Sequence, residues 1–106
     1  MAKRFALKDG VIFAPRIELM ISIPTVMTVY ESCAPQVTTL VCTSGCDGVH
    51  MAGSKHYENL ALDWRIWGIS EYIAGRIVDT LNQITPGMQF ILEWKKSHIH
   101  QEYDPQ

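Results

Sequence analysis

Long apolar runs are missing from this 106-residue chain, and so is a strong excess of either charge. The most apolar stretch, residues 17–30 (IELMISIPTVMTVY), is interrupted by Glu18, Ser22, Pro24 and two threonines. It is too short and too polar to cross a bilayer, so no membrane insertion is expected. Lys3 and Arg4 stand near the start, but Lys8 and Asp9 follow before any apolar run develops, and no secretory signal is expected. The net charge is −2 and the basic residues are scattered, which gives no electrostatic grip on nucleic acid. Cysteine is also scarce. Cys33, Cys42 and Cys46 are too few for a disulfide framework. Cys42, Cys46 and His50 recur every four residues and would suit a zinc site on a helix, although residues 43–45 (TSG) oppose a helix there. The other reading is of small core thiols or a loop thiol.

What is present is ordinary globular composition, 47% apolar and 19% charged, at the length of one domain spanning residues 1–106. Residues 1–10 read as a lead-in and 11–13 (VIF) as a short edge strand. Residues 15–33 place apolar side chains at roughly helical spacing, with Pro24 expected to kink or break the helix or to open its second half. Residues 36–43 (QVTTLVCT) are β-branched and apolar, a buried strand. Residues 59–66 (NLALDWRI) alternate, with Leu60, Leu62 and Trp64 on one face and Ala61, Asp63 and Arg65 on the other. Ser70 is a good N-cap for a helix over 71–84, whose inner stripe is Ile73, Ile77, Leu81 and Ile84. Pro86-Gly87 ends that helix. Residues 88–94 and 98–103 then read as two strands joined by a tight hairpin at 95–97. The expected fold is α+β, two main helices packed on a small antiparallel sheet.

Histidine is scarce, and its distribution is uneven. All four fall in two clusters, His50 and His56 within residues 50–65 (HMAGSKHYENLALDWR) and His98 and His100 in SHIH. Two residues apart on a strand, His98 and His100 leave the same face while Ile99 turns to the core. Asp63 leaves its strand opposite to the leucines. If the two strands are neighbours, Asp63, His98 and His100 converge, and His56 can reach the same point from the preceding loop. Two histidines and a carboxylate form the three-ligand set of catalytic zinc, with a fourth position left for water. Surface decoration of a strand is the competing reading of the same spacing.

The segment SKHYENLALD (54–63), followed by HIH (98–100), resembles the zinc D-alanyl-D-alanine peptidases, the phage endolysin peptidases related to them and the Hedgehog signalling domain that shares their fold. These families share a Ser-x-His-x6-Asp segment and a late His-x-His. The resemblance extends over roughly residues 37–105 and is greatest to small phage and prophage members. It implies zinc held by His56, Asp63 and His100, with His98 facing the substrate as an oxyanion stabiliser and Glu93 as general base. His50 matches a histidine found in part of the family. The implied reaction is hydrolysis of an amide in a peptidoglycan stem peptide, in phage lysis or in penetrating the host wall. The protein would be made in the bacterial host cytoplasm, with a holin-type export partner, and would act at the cell wall or periplasm. A zinc-binding module of the same fold that has lost catalysis is the alternative.

Three departures bear on these expectations. Asn59 stands where the family usually has glycine, and asparagine is the next best residue for a left-handed turn. The interval from Glu93 to His98 is longer by one or two residues. The arginine with which carboxypeptidase members hold a terminal carboxylate is absent from residues 43–54, leaving Lys55 or Arg65 to take that role. An endopeptidase is therefore favoured over a strict D-alanyl-D-alanine carboxypeptidase.

Overall fold

A computed structural model describes residues 3–45 and 60–103. The chain folds as β1 (Arg4–Leu7), α1 (Ile17–Cys33), β2 (Thr39–Ser44), β3 (Ala61–Arg65), α2 (Glu71–Ile84), β4 (Met88–Glu93), a single 3₁₀ turn (Trp94–Lys96) and β5 (His98–Tyr103). The five strands form one sheet in the order β1-β2-β3-β5-β4. It is α+β as expected, but the sheet is mixed rather than antiparallel, because β1 runs parallel to β2. The expected edge strand at 11–13 is not formed, and the edge strand lies in the lead-in instead. Val11 and Phe13 are drawn into packing against the core, with Phe13 meeting Phe5 ring to ring at 5.5 Å.

Both helices pack against each other and over one face of the sheet. The core joins Leu19, Val26, Tyr30, Ile77 and Leu81 of the helices to Leu40, Leu62, Trp64, Phe90 and Ile99 of the strands. In α1, Leu19, Ser22, Val26, Val29 and Tyr30 are buried, an i, i+3, i+7 stripe that a helix turns to one side. Pro24 neither breaks nor ends α1. It lies on the exposed side, where the Met20 carbonyl that loses its partner can turn to water. In α2, Ser70 caps the helix by accepting from the Ile73 amide at 3.2 Å. Its buried stripe is Ala74, Ile77, Val78 and Leu81, whereas Ile84, expected inside, is 52% exposed in the last turn. The stripe follows the 3.6-residue period of α2 but stops where the helix runs past the sheet.

Two side chains tie these layers together. The amide of Asn82 on α2 brackets Phe90 on the edge strand β4. It donates to the Phe90 carbonyl at 3.0 Å and accepts from the Phe90 amide at 2.8 Å, so part of that edge is covered. Lys3, just before β1, donates to the carbonyls of Ala34 and Val37 beyond the C-terminal end of α1.

Candidate metal centre

Strand register decides which side chains meet on the face opposite the helices. Asp63 on β3 pairs with His100 on β5, and Arg65 pairs with His98. On the other side of β5, Glu93 of β4 pairs with His98. Because side chains alternate along a strand, Asp63, Arg65, Glu93, His98, His100 and Glu102 share this face, while Leu62, Trp64, Ile99 and Gln101 enter the core. Asp63 leaves β3 opposite to the leucines, as the sequence implied, and is only 4% exposed there.

Trp94, Lys95 and Lys96 lead from Glu93 toward His98. They form the 3₁₀ turn, and Ser97 takes a left-handed conformation at φ 60°, returning the chain so that the two residues face each other. The Glu93 Oε1 to His98 Nε2 distance is 2.7 Å. The same nitrogen lies 3.8 Å from Asp63 Oδ1. His100 stands on the far side of Asp63, with Nδ1 3.0 Å from the same Oδ1 and Nε2 2.9 Å from Glu102 Oε1.

Among the described residues, Asp63, Glu93 and His98 form a group whose ligand atoms all lie within 4.8 Å of one another, close enough to hold a metal ion. Thus Asp63, His98 and His100 come together on one face as expected, and Glu93 joins them. The grouping differs from the expected one, since His98 and Glu93 stand with Asp63 while His100 engages two carboxylates. His56, expected to complete the ligand set, lies outside the described residues, as do His50, Cys46, Lys55 and Asn59. Cys42 is buried in the core. Glu102 escaped the sequence reading, although its place two residues beyond His100 on the same strand face was a usable signal.

Electrostatics on this face couple the acids to the histidines. Burial works to raise the Glu93 pKa, but the hydrogen bond with His98 and the positive fields of His98, Lys96 and His100 outweigh it and hold the carboxyl below its usual 4.5. Burial works to lower the pKa of His100, yet hydrogen bonds and attraction from Asp63 and Glu102 raise it above 6.5. A raised imidazole stabilises the fold fully below its unfolded pKa, and that contribution disappears as pH rises through the folded value. A depressed carboxyl stabilises the fold above its unfolded pKa and ceases to do so as pH falls through the folded value. Metal-free protein is therefore expected to melt highest between about pH 5 and 6.5. Its melting temperature should decline on the alkaline side of that window, whereas any increment on adding a divalent metal ion should grow there, because ligands bind metal deprotonated. Melting scans with and without chelator check this, and parallel curves would remove the coupling.

A cavity of about 350 Å³ adjoins the metal group, with Asp63 and His98 in its lining. No family model, no curated protein and no solved structure matches the chain.

Proposed function

We propose that the protein is a zinc-dependent peptidase that hydrolyses an amide in peptidoglycan stem peptides. One observation carries the reading: two strand pairings bring Asp63, Glu93 and His98 within ligand distance on one face, with His100 bonded to the same Asp63 oxygen. A donor set of carboxylate and imidazole fits zinc, a borderline ion that accepts both. Asp63 and His100, whose Oδ1 and Nδ1 lie 3.0 Å apart, are two of the residues that would hold the ion. The sequence resemblance supports His56, Asp63 and His100 as the ligands.

A zinc ion in that position supplies Lewis acidity toward the amide carbonyl and brings the pKa of a water toward neutrality. The chain's own residues do the rest. Glu102 on Nε2 fixes the ring of His100 and raises the basicity of Nδ1. Glu93, held ionised, takes a proton from the attacking water and passes it to the leaving amine. His98, hydrogen-bonded to Glu93, faces the carbonyl oxygen as negative charge develops there. Action in phage lysis or host penetration, from a cytoplasmic site of synthesis through a holin-type partner, completes the proposal.

The second reading is a zinc-binding module without catalysis, favoured by the nearness of Glu93 to the ligand group itself. Glu93→Gln separates the two. Under the peptidase reading this variant keeps its zinc and loses hydrolysis of purified peptidoglycan by about 100-fold or more, the scale of a general base. Metal analysis, with mass spectrometry of released peptides, reads both quantities. Loss of zinc from Glu93→Gln would make Glu93 a ligand and favour the module.

A further inference from the structure

Two of the three tryptophans stand outside the core. Trp64 is fully buried, whereas Trp67 is 64% and Trp94 40% exposed. Large apolar surface left against water is costly, and these two indoles border the same cavity of about 270 Å³. Its other walls are Ile66, Gly68, Ile69 and Ser97, so the lining carries no charged side chain. Trp67 and Ser97 also line the cavity that reaches Asp63 and His98, and Trp94 directly follows Glu93. The aromatic hollow therefore adjoins the metal group.

Backbone hydrogen bonds set these walls. Trp67 lies in the turn after β3, where the Ile69 amide donates to the Ile66 carbonyl at 3.2 Å and Gly68 takes a positive φ of 78°. Trp94 opens the hairpin turn, which the Ser97 amide closes on the Trp94 carbonyl at 3.0 Å. The Ile66 amide donates to the Ser97 carbonyl at 3.3 Å and so joins one turn to the other. The Arg65 guanidinium carbon, 3.8 Å from the Trp67 ring centroid, stacks on one face of that indole. The two indoles are thus carried on turns that are tied together.

We infer that this cavity is a subsite for one N-acetylhexosamine ring of the glycan strand that carries the stem peptide. A sugar ring has a face of C–H bonds, made slightly positive by the oxygens around it, and a rim of hydroxyls. The C–H face settles on the electron-rich face of an indole, while the rim stays in water or accepts from an indole N–H. Partly exposed indoles suit such a two-sided ligand, whereas a wholly apolar side chain gains most from an enclosed pocket. The uncharged lining suits a neutral ring and gives a charged residue no partner. The volume lies just below the usual range of small-molecule pockets, ~300–1,000 Å³, which is room for about one ring. The inference rests on the peptidase reading and narrows its substrates to stem peptides still joined to their glycan.

The test reads binding without hydrolysis. The protein is titrated with tri-N-acetylchitotriose and, as an apolar probe, with acetyl-leucine amide. Indole N–H signals, assigned with Trp67→Phe and Trp94→Phe, report occupancy, and buried Trp64 is the internal control. The trisaccharide should bind in the millimolar range and shift the Trp67 and Trp94 signals while leaving that of Trp64 in place. Trp67→Ala and Trp94→Ala should each weaken it about five- to tenfold, the scale of one aromatic contact. Both side chains are exposed, so both variants should fold. Unmoved signals at the two indoles, tighter binding of acetyl-leucine amide than of the sugar, or sugar affinity that survives both substitutions overturns the subsite. Sugar binding of the expected kind in a chain that cuts no peptidoglycan keeps the subsite and refutes the peptidase, whereas cleavage without sugar binding does the reverse.

Discussion

Under the peptidase proposal, Asp63→Asn is expected to abolish zinc binding and, with it, peptidoglycan hydrolysis. Asp63 belongs to the proposed ligand set under either assignment, with His56 and His100 or with Glu93 and His98. Its Oδ1 lies near both β5 histidines, 3.0 Å from His100 Nδ1 and 3.8 Å from His98 Nε2. Asparagine keeps the shape of the buried side chain but removes the negative charge that favours a divalent ion. Losing an outer partner of a metal ligand already costs about 10–100-fold in affinity, so losing the ligand itself should exceed about 100-fold. The rise in melting temperature on adding zinc should vanish in step, since that rise scales with the logarithm of free ion over its dissociation constant. Calorimetric titration and a thermal scan test both effects. A variant with wild-type zinc affinity would take Asp63 out of the site and the peptidase proposal with it. His100, left with Glu102 alone, should titrate nearer to its ordinary value, because one of the two carboxylates that raise its pKa is gone.

Gln101→Ala is expected to cost about 3–5 kcal/mol of stability. Gln101 is fully buried between the two strand positions that carry His100 and Glu102. Its Oε1 accepts from the Trp64 indole at 2.8 Å, and its Nε2 donates to the Ser22 hydroxyl at 2.7 Å. Ser22 in turn donates to the Leu19 carbonyl, so one polar chain runs from β3 through β5 into α1. Truncation leaves a cavity and strands the indole N–H of a fully buried tryptophan. Gln101→Met fills most of the space but still leaves that N–H unpaired, so it should cost less, about 1–3 kcal/mol. For a domain of this length the alanine variant should melt more than ~10 °C lower. Urea unfolding that finds either variant within 0.5 kcal/mol of wild type (about the scatter of surface substitutions) would show that the polar chain contributes little.

Much of the fold was legible because its signals were local. Ser70 and Pro86-Gly87 bound α2 at the expected residues, since capping and chain breaking depend on a few neighbours. The alternation of His98, Ile99 and His100 set the two imidazoles on one face, and the structure keeps that parity. Pro24 leaves α1 unbroken, and the sequence gives the clash of a proline with its helix but not which side faces solvent. The edge strand was misplaced for a related reason. Residues 4–7 pair with 39–42 in parallel, and a parallel ladder across more than thirty intervening residues leaves no local trace.

The amino-acid order by itself determined the kinds of chemistry available. It put a carboxylate on β3, two imidazoles in phase on β5 and a glutamate at the end of β4, because residue type and two-residue alternation are properties of the chain alone. Only the tertiary structure decided that Glu93 meets His98, that one Asp63 oxygen serves both histidines, and that Lys8, Arg65 and Lys96 border one cavity. Those meetings depend on strand order and on the course of the hairpin turn, which are set by burying Trp64, Leu62 and Ile99 beneath the two helices. That burial is a property of the whole core, and no short stretch of sequence contains it.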